Sequence, residues 1–84
     1  MRIFVGDLSF NTSDDDLRAT FAPYGEVASA QVIRDRETTR SRGFGFVEML
    51  DKDAAQQAIR SLNGSDLQGR TLNVNEARAR EDRG

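Results

Sequence analysis

The sequence predicts an α+β fold in which a four-stranded antiparallel sheet carries two helices on one of its faces. Hydrophobic periodicity gives the order strand, helix, strand, strand, helix, strand. Right-handed crossovers in both halves of such a chain place the two helices on the same side of the sheet. A chain of 84 residues forms one domain with a small core. We expect this domain to span residues 1–78 and a short charged tail to span residues 79–84.

Composition excludes several function classes. Charged residues make up 31% of the chain and hydrophobic residues 37%, as in globular proteins. No apolar run approaches the roughly 18 residues of a membrane span, so no membrane partner is expected. Cysteine and histidine are absent, which removes the usual zinc ligands and the usual acid–base group at neutral pH. We therefore expect no cofactor, no metal site and no enzymatic activity. The lack of a targeting segment favours a cytoplasmic location. We also expect the protein to be a monomer.

The first half of the chain contains one strand and one helix before the second strand. Residues 2–7 alternate as a strand, with Ile3 and Val5 on one face and Phe4 on the other. Ser13 is a good N-cap, and Asp16 completes a capping box. The apolar stripe of the helix that follows is Leu17, Phe21 and Tyr24.

The second half begins with a strand over Val27–Arg34, in which Ala28, Ala30 and Val32 share one face. A polar, mobile loop over residues 35–41 leads to a strand over residues 42–49. Asp51 then caps a helix whose stripe is Ala55, Ala58, Ile59 and Leu62. Gly64 suits the left-handed position that ends this helix, and residues 71–77 form the fourth strand.

The strand over residues 42–49 is unusual because both of its faces are apolar. Val47 and Met49 point to one face, while Phe44 and Phe46 share the other with Arg42. An ordinary half-buried strand has one polar face. Two aromatic rings beside a cation indicate a surface on which flat ligands can stack.

The chain is acidic overall, but its arginines are clustered in the sequence. A net charge of −2 and a pI near 5.0 argue, taken alone, against a nucleic-acid-binding protein. Arginine is nevertheless concentrated in two segments, residues 34–42 and residues 70–84. Local charge matters more than the total when a strand of phosphates lies on one face.

These residues resemble the RNA recognition motif family. Residues 42–47, Arg-Gly-Phe-Gly-Phe-Val, match its longer signature, from which Met49 departs by replacing an aromatic residue. The shorter signature is recognisable at residues 3–8, with Asp7 in place of the usual asparagine, and Thr39 stands where many relatives have glycine. The resemblance covers residues 2–78 and implies a ferredoxin-like βαββαβ sandwich.

The resemblance also implies a binding site for single-stranded RNA, with single-stranded DNA as a further candidate ligand. Phe4 and Phe44 would each stack on a base, Phe46 would contact sugars, and Arg42 would pair with phosphate. The end of the fourth strand would read base edges, partly through its backbone. The remaining candidate RNA-binding residues are Arg2, Gln31, Asn73, Asn75, Ala77 and Arg78, together with the loop arginines Arg36 and Arg40.

Two other function classes are compatible with this chain plan. The same fold can serve as a protein–protein interaction module, but the three outward phenylalanines favour RNA. A small hydrolase on the same chain plan needs an arginine in a phosphate-binding loop after the first strand. Residues 8–12 contain neither arginine nor glycine. The expected role is post-transcriptional regulation or RNA chaperoning.

Overall fold

The structure is a computed structural model that describes residues 1–77. The elements are β1 (Arg2–Gly6), α1 (Asp14–Phe21), β2 (Val27–Arg34), β3 (Ser41–Met49), α2 (Lys52–Leu62), β4 (Asp66–Leu67), β5 (Arg70–Thr71) and β6 (Asn73–Glu76). The four-stranded antiparallel sheet has the order β2-β3-β1-β6, and two helices connect its strands. The predicted fold class is therefore confirmed.

The core lies between one face of the sheet and the two helices. β1 and β3 are the central strands, and each contributes alternate aliphatic side chains that are completely buried. The fully buried residues of this core include Ile3, Val5, Leu17, Phe21, Val47, Met49, Ala55, Ala58 and Val74. Within residues 1–77, neither helix lies on the opposite face of the sheet, because the buried side chains of both belong to this one core.

Helix α1 begins as the sequence predicts. The backbone N–H of Asp16 donates to Ser13 Oγ, and the backbone N–H of Ser13 donates to Asp16 Oδ2, which completes the capping box. The α-helix ends earlier than its apolar stripe, at Phe21. Residues 22–24 form a separate 3-10 helix that contains Pro23, because proline lacks the N–H that a continuing α-helix requires.

The outer edge of β2 is held by side chains of α1. Asp14 Oδ1 accepts a hydrogen bond of 2.7 Å from the backbone N–H of Val32, and Arg18 Nη1 donates to the carbonyl of Val27 at 3.1 Å. Both bonds satisfy backbone groups of an edge strand, which would otherwise be free to pair with another chain.

One residue of β2, Ala28, lies on a different face of the sheet from the one that the sequence predicts. Ala28 is exposed, whereas its neighbour Val27 is buried. The pairing with β3 shifts between Val27 and Ser29, so the strand contains a bulge that reverses the alternation. The prediction that Ala28 faces the same way as Ala30 and Val32 is therefore wrong, since parity fails across a bulge.

The fourth strand is shorter than predicted. Residues 66–67 and 70–71 form a separate hairpin, β4–β5, whose turn residues Gln68 and Gly69 have φ values of 53° and 84°. Leu72 pairs with the residues after α2: its N–H donates to Ser65, and its carbonyl accepts from Gly64. Only residues 73–76 therefore join the main sheet, as β6. The prediction of a single strand over residues 71–77 is wrong for this reason.

The β4–β5 hairpin is tied to the start of α1 through one side chain. Gln68 Oε1 accepts from the buried Thr12 hydroxyl at 2.8 Å, and Gln68 Nε2 donates to Asp16 Oδ2 at 3.1 Å. The hydrogen bond from the backbone N–H of Ser13, followed by the bond from Gln68, lowers the pKa of Asp16. The same carboxylate thus holds the helix cap and the hairpin.

We predict that Asp14→Ala destabilises the protein more than Asp15→Ala does. Both variants remove one negative charge from the first turn of α1, but only Asp14 accepts a hydrogen bond from β2. The difference in the free energy of unfolding should be about 1 kcal/mol. Urea denaturation of the two variants measures it, and equal destabilisation would show that the bond to the strand edge contributes nothing.

Candidate functional site

Three phenylalanine rings form a contiguous surface, the aromatic platform, on the face of the sheet opposite the helices. The platform consists of Phe4 from β1 and of Phe44 and Phe46 from β3. Ring centroids are 5.9 Å apart for Phe4 and Phe44, 5.9 Å for Phe4 and Phe46, and 6.2 Å for Phe44 and Phe46. Phe4 and Phe46 are also direct cross-strand partners. The residues that parity assigns to one face are therefore in mutual contact.

The three rings are half-buried rather than fully exposed. They shield one another, since contacting rings remove part of each other's surface from water. Phe4 and Phe44 are tilted by only 32° relative to each other, whereas Phe46 is at 64° to Phe4 and 87° to Phe44. Two rings thus lie roughly side by side, and the third stands on edge next to them.

Gly6 provides the space into which Phe4 leans. A Cβ placed on Gly6 would lie 2.9 Å from Cε2 and 3.1 Å from Cζ of the Phe4 ring. Gly6 also pairs directly with Phe44 across the two central strands. The absence of a side chain at this position therefore lets the Phe4 ring extend toward Phe44.

Arg2 lies over the platform at its other end. Its guanidinium carbon is 4.7 Å from the centroid of the Phe46 ring, within the range of a cation–π contact. Its cross-strand partner is Glu48, an exposed carboxylate on the same face. Together they border a recess of about 200 Å³ that is lined by Arg2, Ser29, Gln31, Phe46, Val47 and Glu48.

Polar side chains flank the platform in a single row across the sheet. Gln31 on β2 pairs with Phe46, Phe46 pairs with Phe4, and Phe4 pairs with Asn75 on β6. Asn75 Nδ2 donates to Asn73 Oδ1 at 2.9 Å. This bond leaves Oδ1 and one amide N–H of the Asn75 side chain, and both amide N–H groups of Asn73, available to a ligand.

Arg42 is exposed at the start of β3, next to the loop that joins β2 and β3. Hydrogen bonds from the backbone N–H groups of Glu37 and Thr38 lower the pKa of Asp35, and the charge of Arg42 lowers it further. The loop predicted to be mobile thus has internal hydrogen bonds. Arg36 and Arg40 are both exposed within it.

The last candidate residues lie at the end of β6. The backbone N–H of Ala77 donates to the carbonyl of Arg2 at 2.9 Å, which continues the pairing of β6 with β1. Ala77 therefore lies beside Arg2, the residue whose guanidinium contacts Phe46. Arg78 lies outside the described residues.

Three residues near the site were not predicted from the sequence. Glu48 lies on the same face of β3 as Phe46 by the alternation of side chains, and it places a negative charge beside Arg2. Phe10 is 70% exposed in the loop after β1, and Arg34 lies beside it at the end of β2. The sequence does contain a signal for Phe10, because a phenylalanine between Ser9 and Asn11 belongs to no periodic apolar pattern.

In residues 1–77, no group of three or more histidine, cysteine, aspartate or glutamate side chains is placed so that it could hold a metal ion. In the same described part of the chain, no helix is long and apolar enough to cross a membrane.

Gly6→Ala should displace the Phe4 ring while leaving the fold intact. The added methyl group would meet the far end of a side chain that can rotate, so the expected loss of stability is about 1 kcal/mol. The NMR signals of the Phe44 ring should move, because the neighbouring ring current changes. Leu50→Ala, at a residue that is 67% exposed and outside the platform, is the control. Unmoved Phe44 signals would contradict the described packing.

The chain has close relatives among known sequences and structures. Residues 3–73 match the RNA recognition motif family. The protein RbpE of Nostoc sp. is 50% identical over 84 residues, which is 100% of this chain and 85% of RbpE. Several plant glycine-rich RNA-binding proteins, from Arabidopsis thaliana and Hordeum vulgare, are 49–52% identical, and the chain spans about half of their length.

Solved structures agree with the sequence comparison. The RNA-binding protein PG1 superimposes with a TM-score of 0.92 at 51% identity, over 95% of this chain and 96% of that one. The RNA recognition motif of Rna15 with bound RNA superimposes with a TM-score of 0.81 at 25% identity, over 90% and 81%. The fold is ferredoxin-like, and the matched family is one of RNA-binding proteins rather than of enzymes. The chain belongs to the RNA recognition motif family.

Proposed function

We propose that the chain binds single-stranded RNA on the aromatic platform. The observation that carries this proposal is the contact of three phenylalanine rings, with an arginine over one of them, on the sheet face opposite the helices. RNA binding is also supported by membership of the RNA recognition motif family and by the RNA bound to the Rna15 motif.

The ring orientations suggest a division of roles. Phe4 and Phe44 lie side by side at a tilt of 32°, so each can accept one base on its face. Phe46 stands at 87° to Phe44, and Arg2 occupies one side of its ring. This ring is therefore suited to contact with a sugar between two stacked bases.

Stacking supplies more of the expected affinity than ion pairing does. Arg2 and Arg42 can pair with phosphates, but Glu48 lies opposite Arg2, and Asp35 interacts with Arg42. Each carboxylate competes with phosphate for its arginine. Base stacking contributes about 1–3 kcal/mol per base and does not depend on net charge, so it is compatible with an acidic protein.

Base edges would be read along the row that crosses the sheet. Gln31 lies at one end of this row, and Asn75 lies at the other. Beyond its bond to Asn73, the Asn75 side chain offers an acceptor and one donor, and the Asn73 amide offers both of its donors. Ala77 extends this end of the proposed site, and an RNA contact of Arg78 stays a prediction.

Single strands are the proposed ligands because duplex RNA hides its base faces within the helical stack. Binding of single-stranded DNA stays a prediction, as do the monomeric state and the cytoplasmic location. A role in post-transcriptional regulation or RNA chaperoning also stays a prediction, whereas the glycine-rich RNA-binding proteins among the relatives support RNA binding itself.

We predict that Phe44→Ala weakens binding to a single-stranded RNA pool about 10-fold or more, because one stacking partner is lost. Phe44→Tyr keeps an aromatic face and should bind within about twofold of the parent protein. Leu50→Ala is the control, since Leu50 is an exposed apolar residue, 67% exposed, outside the platform. Fluorescence anisotropy with a labelled octanucleotide pool gives the affinities, and circular dichroism checks the fold.

A matched duplex of the same sequences should bind much more weakly than the single strands. Equal binding of duplex and single strands, or undiminished binding of a folded Phe44→Ala protein, would contradict the stacking proposal. Capture of a protein through the platform, with no RNA binding, would favour the interaction-module alternative.

A further inference from the structure

An exposed aromatic residue, Phe10, lies outside the platform. Phe10 is in the loop between β1 and α1, and 70% of it is exposed, the largest exposure among the large hydrophobic residues of the described chain. It does not belong to the core cluster. A solvent-exposed phenylalanine is ordinary by itself, so its surroundings decide whether it can bind anything.

Those surroundings form a recess with two arginines in its lining. The recess has a volume of about 420 Å³, and its lining residues are Phe10, Asn11, Arg34, Thr39, Arg40 and Ser41. One wall is the loop after β1, and the other is the hairpin between β2 and β3. One aromatic residue and two arginines line the same space, a combination that suits a ligand with both a flat ring and negative charge.

The walls of this recess are held in place by hydrogen bonds. The N–H of Leu8 donates to the carbonyl of Gly43 at 2.8 Å, which fixes the loop after β1 to the start of β3. The N–H of Gly43 donates to the Ser41 hydroxyl at 3.0 Å. On the other wall, the N–H of Asp35 donates to the carbonyl of Arg40 at 2.8 Å. The recess is therefore preorganised, which lowers the entropic cost of binding.

The acidic residue next to Arg34 in the sequence is engaged elsewhere. Asp35 follows Arg34, and its carboxylate accepts hydrogen bonds from the backbone N–H groups of Glu37 and Thr38. These bonds direct it toward its own loop. Arg34 and Arg40 are both exposed and can meet a phosphate.

The recess adjoins the platform through β3. A Cβ placed on Gly43 would lie 4.0 Å from Cε1 of the Phe10 ring, and Gly43 directly precedes Phe44. The recess therefore lies next to the first residues of β3, at the end of the strand from which the Phe44 ring projects.

We propose that this recess is an additional nucleotide subsite, in which Phe10 stacks on a base and Arg34 and Arg40 contact its flanking phosphates. The inference rests on the proposed RNA-binding function and extends it by one nucleotide beyond the platform. The subsite lies beside the β2–β3 hairpin, at the end of the platform away from Arg2.

Phe10→Ala should weaken binding of the labelled single-stranded octanucleotide pool by about 5- to 100-fold, the effect expected for one lost stack. Leu50→Ala, at a similarly exposed residue, should leave affinity unchanged. Arg40→Gln should reduce the dependence of log affinity on log salt concentration by about 0.7, the contribution of one phosphate on a single strand. Phe10 is mostly exposed, so its replacement should leave the circular dichroism spectrum and the unfolding midpoint intact.

Phe44→Ala, measured in the same series, separates the two proposals. If Phe44→Ala weakens binding while Phe10→Ala matches Leu50→Ala, the platform binds RNA and the subsite proposal is overturned. If neither Phe44→Ala nor Phe10→Ala changes the affinity, both proposals fail. If Phe10→Ala weakens binding but Arg40→Gln leaves the salt dependence unchanged, the proposed phosphate contact of Arg40 is wrong.

Discussion

The site depends on the alternation of side chains in the two central strands. In β1 and β3, every second residue enters the core beneath the helices. The residues between them point to the opposite face and include the three phenylalanines of the platform. Val47 is completely buried next to Phe46, and both Ile3 and Val5 are completely buried on either side of Phe4. The spacing of the rings is therefore set by the packing of the aliphatic residues, and a shift of one residue would exchange core and platform.

The platform is consequently more rigid than an exposed cluster of aromatic residues on a loop would be. The cross-strand pairing of Phe4 with Phe46 fixes two rings, and Gly6 leaves room for the first of them to approach Phe44. Ordered rings lose little conformational entropy when a base stacks on them. The helices support this arrangement from the far face, and the hydrogen bonds from α1 to β2 protect the sheet edge.

The sequence was sufficient for features that depend on local pattern, and insufficient for those that depend on tertiary hydrogen bonds. Alternation assigned Phe4, Phe44 and Phe46 to one face, and capping chemistry located the start of α1. The bulge near Ala28 could not be predicted, because parity carries no information about an inserted residue. The β4–β5 hairpin was also missed, since its anchor, Gln68, bonds to residues more than fifty positions earlier in the chain.

Chemical-shift mapping with single-stranded RNA tests the central claim most directly. If the sheet face opposite the helices binds RNA, amide signals should move in residues 2–6, 29–33, 42–48 and 73–77. Signals from the exposed side of α2, residues 53–61, should stay in place. Movement confined to the helices, or no movement on addition of a mixed single-stranded pool, would contradict the assignment of this face as the RNA-binding surface.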